Sequence, residues 1–204
     1  KINNLSIISH VFKRAEEADI GEVVVATDDQ EILRDVVKNG GKAILTNKNH
    51  KTGTDRIFEA YEKLNIKNVD YILNLQGDEP DINKDDIINL NDFMINQDAE
   101  LGTLAAKIQD NKMLNNRNVV KVITDKKLME SNFPIALNFT RDNLSADSQN
   151  IYHHIGIYSY KTSVLKKFVN LDQTNNEKIN KLEQLRALDN KLKINVALAK
   201  SSPI

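Results

Sequence analysis

The sequence predicts an α/β protein with a mostly parallel sheet flanked by helices, like that of nucleotide-diphospho-sugar transferases, and with a mixed or antiparallel portion after about residue 100. Three observations support this fold class. Short β-branched runs alternate with amphipathic stretches of helical length in the first half of the chain. The first two predicted strands are separated by one helix, which is the spacing of a parallel crossover. After residue 100, strand-like runs follow one another more closely.

Length and composition indicate one globular domain spanning residues 1–204, which we expect to be cut short at both ends. Of its 204 residues, 40% are hydrophobic and 28% are charged, which are ordinary values for a globular protein. A net charge of -1 gives no reason to expect a nucleic-acid partner. The absence of cysteine excludes a disulfide framework and a thiol nucleophile, and it fits a cytoplasmic location. No apolar run reaches membrane-spanning length, so no membrane partner is expected.

The first elements follow from hydrophobic periodicity. Residues 5–19 carry an amphipathic helical pattern, with Asn3 or Asn4 as its expected cap. Residues 22–27 form a β-branched strand, and the helix after them ends at a glycine pair, Gly40-Gly41. The short strand at 42–45 completes a βαβ unit.

A glycine-bearing loop leads into the third predicted helix, for which Thr54 is the expected N-cap. The free N–H groups at such a helix start can receive an anion or the edge of a base. A capped helix with the surface arginine Arg56 is the plainer interpretation of the same residues, and it is favoured about two to one on this motif alone.

Residues 70–80 are the stretch around which we interpret the rest of the chain. They have the pattern of a buried strand, which is followed by Gly77, two acidic residues and a proline. In open α/β sheets, ligands bind just beyond the carboxyl ends of strands. Asp78 directly follows the glycine and is well placed to hold Mg2+, while an ordinary polar strand exit is the alternative.

The later elements are a helix at 84–97, strands at 101–108 and 119–123, a weakly patterned region at 124–149, a strand at 152–160, a helix from about 162, a helix at 175–188 and a strand at 193–198. His153 and His154 are neighbours on a strand and therefore point to opposite faces, so they cannot easily hold one metal ion together. Gly156 would let another group approach the backbone. Glu183 and Gln184 lie on a helix, where a solvated polar face is the plain interpretation.

Five motifs in register resemble the 3-deoxy-manno-octulosonate cytidylyltransferases (CMP-Kdo synthetases) over nearly the whole chain. They are Val25-Ala26-Thr27-Asp28, Lys51-Thr52-Gly53-Thr54-Asp55-Arg56, Asn74-Leu75-Gln76-Gly77-Asp78-Glu79-Pro80, His154-Ile155-Gly156-Ile157-Tyr158-Ser159-Tyr160 and Leu182-Glu183-Gln184-Leu185-Arg186. The resemblance implies CMP transfer from CTP to the sugar acid Kdo, with release of pyrophosphate, for lipopolysaccharide biosynthesis. It also implies Mg2+ dependence and a homodimer.

The resemblance also implies roles for individual residues. Asp78 would be a catalytic residue and the Mg2+ ligand, and Arg56 would be catalytic through a phosphate or carboxylate contact. Thr52 and Gly53 would bind the nucleotide. Five further residues would bind substrate: Gln76, His154, Tyr158, Glu183 and Gln184.

The sequence departs from the family pattern in three places. The family's N-terminal strand with its basic phosphate loop, and its C-terminal segment with a second metal-binding aspartate, are expected outside residues 1–204. An arginine expected near 129–137 is absent, and Arg141 could replace it only if the loop folds differently. A related sugar acid, such as 8-amino-Kdo or a sialic-acid-like sugar, is therefore one alternative substrate. A non-catalytic relative that binds sugar or nucleotide is another alternative.

Overall fold

The computed structural model describes residues 5–145 and 149–200. Its helices are α1 Ile7–Glu17, α2 Gln30–Lys38, α3 Gly53–Leu64, α4 Lys84–Asn96, α5 Thr162–Val169, α6 Asn175–Asn180 and α7 Gln184–Asp189, with a 3-10 helix at Asn111–Asn115. Its strands are β1 Val25–Thr27, β2 Ala43–Leu45, β3 Tyr71–Asn74, β4 Leu101–Ala106, β5 Lys121–Thr124, β6 Ala136–Thr140, β7 Ile151–Lys161 and β8 Ile194–Leu198. Within these ranges, no helix is long and apolar enough to cross a membrane.

The predicted βαβ unit is confirmed. β1 pairs in parallel with β2, so that Val25 lies opposite Ala43. The Asp29 side chain accepts hydrogen bonds from the first backbone N–H groups of α2, as an N-cap does. Gly40 follows the helix with a φ of 86°, a conformation that glycine adopts without strain.

A second sheet of six strands is built around the long strand β7. β4 pairs antiparallel with one edge of β7, while β5 and β3 pair antiparallel with two ends of the other edge. β8 lies parallel to β4, and β6 continues the sheet beyond β5. The α/β class with a mixed sheet is confirmed, but antiparallel pairing begins earlier than residue 100 because β7 is long enough to reach β3.

Two apolar clusters form the core of this larger sheet. One packs α5 and α7 against it and includes Leu101, Phe139, Phe168 and Leu185. The other packs α4 against it and contains Ile87, Leu90, Met94, Leu104 and Ile157. The packed side chains of these helices therefore cover the sheet and hold β7 in place.

Several boundaries differ from the sequence prediction. Ser6 caps α1, whereas Asn3 and Asn4 lie outside the described residues. The predicted helix at 175–188 is two helices, because Lys181 adopts a left-handed conformation with φ 53°. The weakly patterned region 124–149 contains β6, which forms a hairpin with β5.

β1 and β3 border a common cavity. In the described part of the chain, β1 pairs only with β2, and β3 pairs only with β7. Both strands line a cavity of about 1190 Å³, which also reaches α1, α3 and α4. This cavity lies between the two sheets and contains most of the predicted site.

Candidate active site

Six of the nine predicted site residues line this one cavity, although they come from four different parts of the chain. They are Gly53, Arg56, Gln76, Asp78, Tyr158 and Glu183. Thr52, His154 and Gln184 are not on the cavity wall. The fold thus brings together the start of α3, the turn after β3, the end of β7 and the start of α7.

The start of α3 is organised by Thr52, which caps the helix by accepting a hydrogen bond from the Asp55 N–H at 3.2 Å. The prediction that Thr54 is the cap is therefore wrong. The reason is that Gly53 already belongs to the helix, which moves the cap one position before it. The exposed Gly53 opens the helix and lines the cavity, as a phosphate- or base-binding helix start would.

Arg56 is held by the ends of both strands of the βαβ unit. Its Nη1 lies 3.0 Å from Asp28 Oδ1, just after β1, and donates to Thr46 Oγ1 at 2.7 Å, just after β2. These contacts fix the guanidinium at the cavity edge. Arg56 is thus a pre-positioned cation in a pocket that solvent can reach.

The loop between β2 and α3 is fastened to α3 by Glu59. This carboxylate accepts a hydrogen bond from the Asn47 N–H at 2.9 Å, contacts His50 Nε2, and pairs with Lys63 Nζ at 2.6 Å. The Lys63 contact, followed by the Asn47 and His50 contacts, lowers the pKa of Glu59 to about 2. Glu59 therefore stays charged and holds the loop that ends at Thr52.

The turn after β3 presents Gln76 and Asp78 to the cavity. The side chain of Gln76 lies directly over Gly156, and a Cβ at Gly156 would come within 2.4 Å of Gln76 Nε2. This confirms the prediction that Gly156 lets another group approach β7. Gly77 adopts no left-handed conformation, and the space beside it is taken by the Ile8 side chain of α1.

Asp78 and Glu79 form the acidic end of this turn. Asp78 is exposed, and no described cation pairs with it. Burial, and then the charge of Asp78, raises the pKa of Glu79, whose Oε2 is buried without a hydrogen-bond partner. Across residues 5–145 and 149–200, no three acidic or histidine side chains gather to hold a metal. A single exposed carboxylate nevertheless fits Mg2+, which keeps waters and binds one or two carboxylates together with substrate phosphates.

His154 is buried behind Tyr158. Its Nε2 lies 3.0 Å from Thr103 Oγ1, and its ring packs on Phe139 and on Tyr158. Burial lowers the pKa of His154 to about 3, so the ring is neutral at pH 7. The structure therefore places His154 where it supports the Tyr158 ring, and Tyr158 is the member of the pair that lines the cavity.

Glu183 and Gln184 do not form a solvated polar face. Glu183 Oε2 accepts a hydrogen bond from the Thr54 hydroxyl at 3.0 Å, and Gln184 is only 9% exposed. Burial raises the pKa of Glu183, while hydrogen bonds from Thr52 and Thr54 oppose that shift. Glu183 thus connects α7 to the start of α3.

Arg186 is the buried cation of this region. Its Nε and Nη2 donate to the two oxygens of Glu177 at 2.8 and 2.6 Å, and its guanidinium stacks on Phe168. Such a bidentate pair fixes geometry as well as charge. Arg186 is not on the cavity wall, so its partner Glu177 serves the scaffold.

Arg141 does not reach the cavity. Its Nη1 donates to the backbone oxygens of Arg117 and Asn118 at 3.2 and 3.1 Å. The loop fold that would let Arg141 replace the arginine expected near 129–137 is thus not observed.

No site role was predicted for Asp28, Thr46 or Glu177, and Thr54 was expected only as a helix cap, although all four contact residues of this region. Asp28 and Thr54 lie inside motifs that could have marked them. No local signal identifies Thr46 or Glu177, because their partners are brought to them only by the fold.

A family model described as "Cytidylyltransferase" matches residues 1–194, so the chain belongs to the class of cytidylyltransferases. A 3-deoxy-manno-octulosonate cytidylyltransferase from Thermodesulfovibrio yellowstonii is 46% identical, over 97% of this chain and 81% of the relative. Another from Rhodopseudomonas palustris is 41% identical, over 99% and 82%. The particular family within that class is therefore that of the 3-deoxy-manno-octulosonate cytidylyltransferases, as the motifs had indicated.

Solved structures agree with this assignment. A CMP:2-keto-3-deoxy-manno-octonic acid synthetase complexed with CTP matches with a TM-score of 0.84 and 32% identity, over 97% of this chain and 81% of the other. A 4-diphosphocytidyl-2C-methyl-D-erythritol synthase from Anaerococcus prevotii matches with a TM-score of 0.63 at 14% identity, over 100% of this chain and 84% of the other. The second likeness shows the fold alone.

Proposed function

We propose that this protein transfers CMP from CTP to 3-deoxy-D-manno-octulosonate, giving CMP-Kdo and pyrophosphate for lipopolysaccharide biosynthesis. The observation that supports this most is the cavity itself. In a chain 46% identical to an enzyme of that name, it gathers the helix start of α3, the acidic turn and the Tyr158–Glu183 wall. By the same family likeness, we propose a cytoplasmic homodimer.

In the proposed reaction, a sugar hydroxyl oxygen attacks the α-phosphorus of CTP. A new P–O bond forms, the bond to the pyrophosphate oxygen breaks, and the hydroxyl proton is lost. The chain's task is to position both substrates and to neutralise charge as it develops. Arg56 is proposed to meet phosphate or carboxylate oxygens from the position that Asp28 and Thr46 give it.

Thr52 and Gly53 are proposed to contact the nucleotide, since Gly53 lines the cavity at the start of α3 and Thr52 caps that helix directly before it. Gln76, Tyr158 and Glu183 are proposed to orient the sugar. His154 and Gln184 are proposed to take part in sugar binding from their buried positions behind that wall.

Asp78 is proposed to hold Mg2+ together with the phosphates of CTP. When bound, the ion would polarise the phosphate and offset its charge. Asp78 suits this role because it is exposed at the cavity and no described residue pairs with it.

A second candidate is activation of a related sugar acid. One observation favours it: the segment 129–137 has no arginine, and Arg141 is bound to backbone oxygens instead. A sugar carboxylate pairs best with an arginine, so a change here would alter which sugar acid is accepted.

The test is pyrophosphate release by the full-length protein with CTP and Mg2+, using Kdo, 8-amino-Kdo and N-acetylneuraminate in parallel. Turnover with Kdo is expected. Turnover with only another sugar acid would establish the second candidate, and no turnover with any of the three would reject a cytidylyltransferase function for these sugars.

A further inference from the structure

Thr54 makes a contact that helix capping does not explain. It lies in the first turn of α3, is only 2% exposed, and donates its hydroxyl proton to Glu183 Oε2 at 3.0 Å. The cap of α3 is Thr52, so the Thr54 hydroxyl is not needed to start the helix. The hydroxyl instead joins two segments that lie 129 positions apart in the chain.

The carboxylate that Thr54 contacts lies near a buried tyrosine of β7. Tyr160 is only 3% exposed, and burial, followed by the charge of Glu183, raises its pKa.

The orientation of Glu183 depends on hydroxyl groups at the start of α3, because the hydrogen bond from Thr54, together with one from Thr52, acts on its carboxyl group. Arg186 Nη2 lies 3.8 Å from Glu183 Oε1, too far for a hydrogen bond, because Arg186 is engaged bidentately by Glu177. Glu183 Oε1 is buried and has no hydrogen-bond partner among the described residues. Thr54 therefore fixes Oε2 of a carboxylate whose residue lines the cavity.

We propose that Thr54 is a positioning residue. It holds Glu183 in place for the sugar acid, and it keeps the nucleotide-binding start of α3 at a fixed position relative to the sugar-binding residue Glu183. This inference rests on the proposed function, because it assigns the α3 start to the nucleotide and Glu183 to the sugar. Thr54 acts through Glu183 and needs no contact with either substrate.

The first test compares Thr54→Val, which keeps the shape but removes the hydroxyl, with Thr54→Ser, which keeps the hydroxyl. Thr124→Val is the matched control, because Thr124 is also buried and hydrogen-bonded but lies outside the cavity wall. Since hydrogen bonds to charged groups are the stronger ones, Thr54→Val should raise the KM for the sugar acid about tenfold, with kcat changed less than about threefold. Thr54→Ser and Thr124→Val should stay near the wild-type KM.

A second measurement does not need turnover. The pKa of Glu183 is followed by NMR in the full-length wild type and in Thr54→Val. Removing a donor to the carboxylate should raise that pKa further, and Thr54→Ser should restore it. Four other residues act on this carboxyl group or face it and are unchanged in all variants, namely Thr52, Asp55, Tyr160 and Arg186. If Thr54→Val does not fold, Thr54→Ala provides the same comparison.

An unchanged Glu183 pKa, or a sugar KM that moves equally in Thr124→Val, would overturn the proposal. An inactive wild type that still shows the pKa rise in Thr54→Val would reject the proposed function and support the Thr54–Glu183 contact.

Discussion

Arginine and histidine each occur in two regions around the cavity, and the two regions differ in how far these side chains are exposed to solvent. On the open side, formed by the ends of β1 and β2 and the start of α3, Arg56 pairs with Asp28, with 21% and 38% of the side chains exposed. On the buried side, formed by β7, α6 and α7, Arg186 pairs with Glu177, with 3% and 5% exposed. The histidines differ in the same way, since His50 contacts the charged Glu59 while His154 is a neutral ring in the core.

The difference shows how one type of contact serves two purposes. An ion pair that solvent reaches is screened and contributes little to stability, so its arginine remains available to a ligand. A buried pair is expensive to break, because a lone charge would remain in the interior. The open side therefore offers groups for binding, while the buried side holds the cavity wall in place.

The largest expected effect tests this contrast in stability. Glu177→Gln leaves the Arg186 charge buried without its bidentate partner, so the free energy of unfolding should fall by about 3–5 kcal/mol. Asp28→Asn, the matched change on the open side, should cost less than about 1 kcal/mol. Urea unfolding of the two variants measures both values, and equal losses would contradict the distinction between the two sides.

The next effect is the pH dependence that His154 contributes. Its pKa is about 3 in the folded protein, against an ordinary value of about 6.5 when unfolded. Below pH 6.5 the unfolded chain therefore binds a proton that the folded chain does not bind, and the stability falls as the pH is lowered. Between pH 7 and pH 5 this group should remove about 2 kcal/mol.

His154→Gln isolates that contribution, because all other titrating groups remain. The variant should lose about 2 kcal/mol less than the wild type between pH 7 and pH 5, by urea unfolding at each pH. Equal pH dependence in the two proteins would mean that His154 is not a buried neutral ring.

The smallest expected effect concerns the contact between the turn after β3 and strand β7. Gly156→Ala should push the Gln76 amide from its place over β7, since the new Cβ would lie 2.4 Å from Nε2. Because the side chain of Gln76 can swing away, the fold should survive, while the KM for the sugar acid should rise about tenfold. Gly21→Ala is the control, since a Cβ there meets nothing within 4 Å. Similar kinetics in both variants would remove Gln76 from sugar binding.

The same contrast explains what the sequence could predict. The βαβ unit, α4, α5 and β8 follow from local periodicity and turn residues, and these elements are found where predicted. Asp78 and Gly53 could be selected from the sequence as candidate site residues, because a turn marks the first and a helix start marks the second. The break at Lys181 was not, because a lysine in a left-handed conformation carries no sequence signal.

The buried side was the harder half to predict. Ile179 is an apolar residue within the predicted helix 175–188, yet it is 79% exposed because that helix ends one residue later. Gln184 reads as a solvated residue but is buried, since α7 packs into the core beside Leu185. Burial of this kind depends on contacts distant in sequence, which local patterns do not contain.

The most direct test of the account is pyrophosphate release by full-length wild type, Asp78→Asn and Asp81→Asn, each with CTP, Kdo and Mg2+. Asp81 is an exposed carboxylate on the same loop and serves as the control. We expect Asp78→Asn to lower kcat by about a hundredfold or more, with an unchanged free energy of unfolding and with Asp81→Asn near wild type. A normal rate in Asp78→Asn would contradict the claim that cytidylyl transfer takes place at the turn after β3.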